Sequence, residues 1–115
     1  MLEYYLYMGY VYLIEDNYNN TYKIGVTKGD PNTRLKKLQT GNSGKLYLVD
    51  KYETEHPFIV ENILHNHLSY KQVFNEWYEL DYDNVLKFQE KCKSIEETIE
   101  IMKDNPFFRK KYFKD

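Results

Sequence analysis

The sequence predicts an α+β protein in which a small three-stranded antiparallel sheet is flanked by helices and followed by a C-terminal helical extension. Two runs dense in Tyr, Val and Ile flank a turn between residues 10 and 26, and a third run covers residues 46–53. Proline-initiated segments with helical apolar spacing follow the second and third runs. At 115 residues, 42% of them apolar, the chain has the length of one domain. We divide this domain into a core, residues 1–80, and an extension, residues 81–115.

The first two strands are predicted to form a hairpin. The runs YVYLIE and TYKIGV contain residue types that suit a pleated sheet, and the Asx-rich segment between them tolerates turn conformations. Alternation places Tyr12 and Ile14 on one face of the first strand. Lys23 lies among apolar neighbours in the second strand, so it occupies either an exposed edge or a polar cleft. Residues 1–9 are expected to lengthen the first strand or to add an edge strand.

The first helix is predicted to begin at Pro31, with Asp30 as its N-cap, and to end at Gly41. Arg34 lies one turn into this helix, close to the positive end of the helix dipole, where a phosphate is favoured. Its guanidinium could bind two phosphate oxygens at once. The alternative for Arg34 is an ion pair with a surface carboxylate.

The third strand is predicted over residues 46–53, with Leu46, Leu48 and Asp50 on one face. The second helix is predicted to begin near Pro57 and to run to Leu68, with a buried apolar stripe. These two elements complete the sheet and its flanking helices.

Glu61 and His65 are four residues apart in the second helix and therefore lie on one face of it. Such a pair suits a divalent ion held by the carboxylate beside a histidine that handles a proton or a phosphate. The alternative is an ordinary surface pair worth a few tenths of a kcal/mol.

The remainder of the chain is predicted to be a short strand or extended cover over residues 75–80, followed by two helices. Trp77 in this segment is expected to fill the core, and Glu76 is a weaker candidate than Glu61 for a metal ligand. Ser94 and Glu97 form the pattern of a capping box at the start of the second of these helices.

The charge of the chain is small in sum but uneven in distribution. The formal net charge is −2, yet residues 23–45 sum to +5 and the side chains of residues 106–115 sum to +3. Basic regions of this kind suit nucleic acid, although a solvated surface is the alternative. The tail interleaves aromatic and basic residues, which suits base stacking or a docked terminal segment. The candidate nucleic-acid-binding residues are Lys28, Lys36, Lys37, Lys45, Arg109, Lys110 and Lys111.

The cysteine content and hydropathy of the chain point to a cytoplasmic protein, which for a phage or viral protein means the host cytosol. Cys92 has no partner for an internal disulfide, as expected in a reducing compartment. No apolar run approaches the length of a membrane span.

The pattern VYLI…YKIGVTK…RLKKLQTGN…E…LH…EWYEL resembles the GIY-YIG nuclease superfamily, and within it the small phage-type, Orf172-like branch. The first motif reads Tyr10-Val11-Tyr12 and the second reads Lys23-Ile24-Gly25, with Arg34 nine residues further on. The resemblance covers about residues 9–80.

The resemblance implies a metal-dependent endonuclease that cuts nucleic-acid phosphodiester bonds, with DNA as the expected substrate and Mg²⁺ or Mn²⁺ as the cofactor. It assigns a catalytic role to Tyr12 and Arg34 and makes Glu61 the metal ligand. Lys23 departs from the tyrosine of the second motif, and an ammonium accepts no proton unless its pKa is lowered. We therefore expect Lys23 to act as an electrostatic donor, with Tyr12, His65 or a metal-bound hydroxide as the base.

Two other classes of function compete with the nuclease. The first is a catalytically inactive GIY-YIG-like module that binds nucleic acid. The second is a module that binds a protein partner through its acidic helices. No separate DNA-reading domain is predicted in a chain of this size, so any sequence specificity would come from the C-terminal helices, a homodimer or a protein partner.

Overall fold

A computed structural model of the chain describes residues 8–113. The strands are β1 (Gly9–Asp16), β2 (Thr21–Thr27), β3 (Leu46–Thr54), β4 (Gln72–Phe74) and β5 (Trp77–Tyr78). The helices are α1 (Pro31–Thr40), α2 (Pro57–Leu68), α3 (Tyr82–Leu86), α4 (Phe88–Met102) and α5 (Pro106–Tyr112), and a 3₁₀ turn, Ser69–Lys71, follows α2. None of the helices in this range is long and apolar enough to cross a membrane. The strand predicted before Gly9 falls mainly on residues 1–7, which lie outside the described range.

The sheet has five antiparallel strands in the order β3-β1-β2-β5-β4, so the prediction of a three-stranded sheet is wrong. The general α+β class is retained. The two additional strands belong to a small hairpin after α2, in which β5 pairs with β2 through Tyr22↔Tyr78 and Lys23↔Trp77. The backbone N–H of Ile24 also donates to the carbonyl of Glu76, 3.1 Å away. This hairpin carries the chain back to β2 and brings Glu76 beside Lys23.

The two faces of the sheet support two separate apolar clusters. The α1-side cluster contains Tyr12, Ile14 and Leu46, with Leu35, Leu38, Leu48 and Trp77 packed against it. The larger α2-side cluster joins the opposite face of β1 to α2 and α4, and Phe108, Tyr112 and Phe113 from the α5 region pack on it. Helices α1 and α2 therefore cover opposite faces of the sheet.

A β-bulge in β3 explains how one strand serves both clusters. Leu13 pairs with Asp50 but Ile14 pairs with Leu48, so Val49 is the extra residue. Leu48 consequently faces the α1 side, while the Asp50 carboxylate accepts a 2.6 Å hydrogen bond from Gln89 on α4. The prediction that Asp50 shares a face with Leu46 and Leu48 is therefore wrong.

The C-terminal helices differ from the prediction in where they begin. Asp81 caps α3, and its side chain and that of Asn84 form reciprocal hydrogen bonds with the backbone. Helix α4 begins at Phe88 and runs through Ser94 without interruption, so the predicted capping box at Ser94 is wrong. The buried stripe of α4 (Phe88, Cys92, Ile95 and Ile99) spans that position and requires a continuous helix. Helix α5 docks the tail on the α2-side cluster.

Replacement of Glu96 by Ala should lower the free energy of unfolding by about 2 kcal/mol. The Glu96 carboxylate accepts hydrogen bonds from the Tyr52 hydroxyl, at 2.7 Å, and from the Thr54 hydroxyl, so it joins α4 to β3. Burial, and then the hydrogen bond to Glu96, raise the pKa of Tyr52, so this phenol stays a donor. Urea unfolding followed by circular dichroism measures the loss. The neighbouring, exposed Glu97 is the matched control, and equal losses for Glu97→Ala would contradict the prediction.

Candidate active site

Helix α2 presents Glu61 and His65 on one stripe, next to the buried stripe that contains Val60, Ile63 and Leu64. Because the core residues fix the rotation of the helix, the two polar side chains lie at the margin of the sheet and are only partly exposed, at 18% and 22%. This placement agrees with the shared face that the sequence predicts for them.

The β4–β5 hairpin supplies the facing wall of a cleft. One ligand atom each of Glu61, His65 and Glu76 can be chosen so that all three atoms lie within 4.8 Å of one another. They line an open cleft of about 300 Å³, together with Asn66, Ser69, Gln72, Asn75 and Tyr78. Glu76, the weaker carboxylate candidate from the sequence, is thus brought together with the stronger one.

His65 is held through one ring nitrogen, while the other makes no hydrogen bond. Its Nδ1 is hydrogen-bonded to the buried hydroxyl of Tyr78, and the two rings lie 5.2 Å apart between centroids. Its Nε2 is buried without a hydrogen-bond partner and lies 3.7 Å from a carboxylate oxygen of Glu61, beyond hydrogen-bonding distance. Burial, and then the charges of Glu76 and Glu61, raise the pKa of Tyr78. The phenol therefore remains protonated beside the imidazole.

Lys23 reaches the cleft through Glu76. Its ammonium lies 2.5 Å from a carboxylate oxygen of Glu76 and 5.6 Å from the centre of the Trp77 ring. The side chain of Lys23 is only 12% exposed and β2 lies between β1 and β5, so Lys23 is not at an exposed edge of the sheet and instead pairs with a carboxylate that lines the cleft. A charge-assisted contact at this distance fixes the Glu76 carboxylate and leaves its second oxygen available.

Tyr12 and Arg34 do not line this cleft. Tyr12 is 1% exposed in the α1-side cluster, and its ring lies across Gly25 on β2, directed toward the β5 side of the sheet. Arg34 is exposed on the first turn of α1. It forms no ion pair within residues 8–113, so the alternative of a carboxylate partner does not apply there. The structure therefore brings together Glu61, His65 and Glu76, with Lys23 bound to Glu76, and it places Tyr12 and Arg34 on the α1 side of the sheet, the face opposite α2.

The predicted basic residues fall into two groups on opposite faces of the sheet. Lys28, Lys36, Lys37 and Lys45 are exposed on and around α1, and none forms an ion pair with another described residue. The tail cations (Arg109, Lys110 and Lys111) lie on α5, which docks on the α2-side cluster. The guanidinium of Arg109 stacks 4.5 Å from the Phe113 ring and donates to the carbonyl of Lys103. The tail is thus a docked segment, the second of the two alternatives for it.

Tyr78 is the functional candidate that the sequence analysis missed. It lies two residues after Glu76 in the segment NEWYEL, and strand alternation puts it on the opposite face from Trp77. This alternation was the only signal that the sequence offered for Tyr78. The contact of Tyr78 with His65 depends on the pairing of β5 with β2. No local pattern in the sequence encodes that pairing.

The donor set fits a divalent metal ion. Two carboxylates and an imidazole nitrogen face one another, and the buried Nε2 of His65 has no other partner among the described residues. The structure also holds a second group of this kind, Glu55, His56 and Glu100. There the His56 Nε2 lies 3.2 Å from Glu100, which also pairs with Lys103, so those atoms are satisfied without an ion.

The fold and the cleft together define an α+β domain with a cluster of two carboxylates and one imidazole at the margin of its sheet. The model of the T5orf172 domain family matches residues 9–93, which is most of the chain. The chain therefore belongs to the T5orf172 domain family. Searches of curated proteins and of solved structures each returned no match.

Proposed function

We propose that this chain is a metal-dependent endonuclease that hydrolyses phosphodiester bonds, with DNA as its expected substrate, and that its domain is a member of the GIY-YIG superfamily. The observation that carries the proposal is the convergence of Glu61, His65 and Glu76 on one cleft, with the Lys23 ammonium bound to Glu76. These residues come from β2, α2 and the β4–β5 turn and are up to 53 positions apart. A cluster of donors and cations around one open cleft is what phosphodiester hydrolysis requires.

Glu61, with His65 and Glu76 beside it, would hold Mg²⁺ or Mn²⁺. A divalent ion at this position supplies charge stabilisation for a phosphate and lowers the pKa of a bound water. The protein residues around the ion would orient its ligands and balance the charge of the cleft. Lys23 orients the Glu76 carboxylate, and its positive charge offsets one of the two negative charges in the cleft.

The other candidate residues would supply the general base and the contacts to the phosphates. His65 Nε2 faces Glu61 and can accept a proton or bind a cation. The Tyr12 hydroxyl lies above Gly25, beside the part of β2 that extends past β5. Arg34 and the exposed lysines around α1 are free to contact phosphates outside the cleft.

The cleavage experiment uses supercoiled plasmid and single- and double-stranded DNA and RNA oligonucleotides, with Mg²⁺, with Mn²⁺ or with EDTA. The wild-type chain should cut at least one of these substrates, and EDTA should abolish the reaction. Glu61→Gln should lower the rate about 100-fold or more, because it removes a charged ligand while keeping the side-chain shape. Glu97→Gln, on the exposed face of α4, should leave the rate unchanged.

Cleavage that persists at full rate in Glu61→Gln would refute the assignment of this cleft. If the wild-type chain cuts no substrate but binds nucleic acid in a salt-sensitive way, the inactive binding module is the correct function. If it neither cuts nor binds nucleic acid, the alternative of a protein partner stands.

The double variant Lys36→Ala/Lys37→Ala should reduce the slope of log K against log salt by about 2 for duplex DNA. The reason is that both ammonium groups are exposed on α1 and form no ion pair with a residue in the range 8–113, so each is available to a phosphate. Fluorescence anisotropy at several salt concentrations measures the slope. Lys87→Ala/Lys93→Ala, on the opposite side of the sheet, is the control of equal charge, and an equal change in both variants would argue against an α1 surface.

A further inference from the structure

We propose that the cleft is a first-row transition-metal site with mixed nitrogen and oxygen donors, in which Glu61, His65 and Glu76 are the three protein ligands and Tyr78 positions His65. Its role in catalysis rests on the proposed nuclease function. Metal binding itself is measurable without nucleic acid, so the two proposals can fail separately.

The three donor atoms are almost close enough to share one ion. Two atoms bound to the same ion at about 2.1 Å stand at most about 4.2 Å apart. The chosen atoms of Glu61, His65 and Glu76 all lie within 4.8 Å of one another. A shift of roughly half an ångström in the side chains would therefore bring the three donor atoms within reach of one ion.

The environment of His65 favours a bare Nε2 lone pair directed at the cleft. When Nδ1–H donates to the Tyr78 oxygen, the Nε2 lone pair and the Glu61 carboxylate face each other at 3.7 Å as two acceptors. When Nε2 instead carries the proton, that buried N–H has no acceptor within hydrogen-bonding distance in the described chain. A cation between Nε2 and Glu61 satisfies both groups, and neither tautomer does so alone.

Two of the three proposed ligands, His65 and Glu76, each have a second residue that holds them in place. Tyr78 fixes the ring of His65 through Nδ1, and Lys23 holds one oxygen of Glu76 at 2.5 Å. Metal-binding histidines and carboxylates commonly have such outer partners, which fix the tautomer and the orientation of the ligand. The three charged groups Lys23, Glu61 and Glu76 sum to −1, so a dication changes the local charge only to +1.

The nitrogen ligand determines which metals the site prefers. Mg²⁺ prefers oxygen donors and retains its waters, whereas first-row transition ions accept imidazole readily. A site with His65 as a direct ligand should therefore bind Mn²⁺ more tightly than Mg²⁺. The distinguishing measurement is a bond between the metal and a nitrogen, which a carboxylate-only site lacks.

The experiment measures Mn²⁺ binding by electron paramagnetic resonance, Mg²⁺ binding by competition with Mn²⁺, and spin-echo modulation from ¹⁴N. The wild-type chain should show ¹⁴N modulation and at least about a tenfold preference for Mn²⁺. His65→Gln should lose the modulation and most of the preference. Tyr78→Phe should weaken Mn²⁺ binding about 10- to 100-fold, with little change for Mg²⁺.

Two variants serve as matched controls. Tyr22 is the cross-strand neighbour of Tyr78, and its hydroxyl donates to Glu15 rather than contacting a histidine. Tyr22→Phe removes this hydroxyl and keeps the ring. His56→Gln alters the second carboxylate–imidazole group, whose atoms are already paired. Both should retain wild-type Mn²⁺ affinity and ¹⁴N modulation, which separates the Tyr78–His65 contact from a general loss of packing.

Absence of ¹⁴N modulation in the wild-type chain, or an unchanged ratio of Mn²⁺ to Mg²⁺ affinity in His65→Gln, overturns the proposal. If Tyr78→Phe fails to fold by circular dichroism, His65→Gln decides, because that side chain is 22% exposed and outside the apolar clusters. Mn²⁺ binding through nitrogen without any cleavage supports the site and refutes the nuclease. Metal-dependent cleavage without nitrogen coordination does the reverse.

Discussion

Gly25→Ala is expected to lower the free energy of unfolding by about 3 kcal/mol. A methyl group at Gly25 would lie 2.8 Å from Cε1 of Tyr12 and closer still to the end of that ring. Tyr12 is 1% exposed in the α1-side cluster, so its ring cannot turn out to solvent without leaving the core. The backbone of Gly25 is not in the left-handed region, and the cost is therefore a collision between side chains. Chemical denaturation followed by circular dichroism measures it.

Gly29→Ala is the matched control for this substitution, because a methyl group there meets nothing within 4 Å. It should change the free energy of unfolding by about 0.5 kcal/mol or less, in either direction. Combining Gly25→Ala with Tyr12→Leu should cost less than the sum of the single changes, since the shorter side chain removes the collision. Additive losses in the double variant would show that the destabilisation has a different origin.

Asp16→Ala is expected to cost about 3 kcal/mol, because it removes a buried hydrogen-bonded carboxylate. Asp16 is 2% exposed and accepts hydrogen bonds from the backbone N–H of Tyr18 and Asn19 and from the side-chain amides of Asn19 and Asn42. It thereby ties the β1–β2 turn to the loop that precedes β3. Thermal and urea unfolding at pH 7 measure the loss.

The contribution of Asp16 should depend on pH with a definite sign. Burial alone would raise the pKa of this carboxyl, but the hydrogen bonds from Asn19, Asn42 and Tyr18 outweigh burial and lower it. A lowered folded-state pKa means that the stabilisation is complete above the unfolded-state value of about 3.9 and is lost as the pH falls below it. The stability difference between the wild-type chain and Asp16→Asn should therefore be constant from pH 7 to about 5 and shrink below about 4. A difference that grows on acidification would contradict the prediction.

The sequence predicted those parts of the fold that local signals encode. Alternating β-forming residues mark β1 and β2, and Asp30 followed by Pro31 marks the start of α1, where the Asp30 side chain accepts from Asn32 N–H. Glu61 and His65 share a face because four residues make about one helical turn. The Orf172-like branch that the ordered motifs indicated agrees with the match to the T5orf172 domain over residues 9–93.

The parts that the sequence did not predict depend on contacts between distant residues. Strand β4, with three residues, was not predicted. The short strand or extended cover predicted over residues 75–80 contains β5, but its place in the sheet depends on its pairing with β2. Ser94 has the local pattern of a cap, but burial of Ile95 and Ile99 against the sheet keeps the helix continuous. The cleft also depends on the pairing of β5 with β2, because this pairing brings Glu76 beside Lys23.

The extra residue at Val49 has a consequence for how the molecule can tolerate a change in length. Deletion of Val49 would make Leu48 and Asp50 consecutive, and these two residues already pair with the consecutive residues Ile14 and Leu13. Regular alternation would then keep Leu48 beneath α1 and Tyr52 against α4, so both layers would stay attached to β3. A deletion in the exposed turn at Asn17–Asn20 also leaves both layers attached to the sheet.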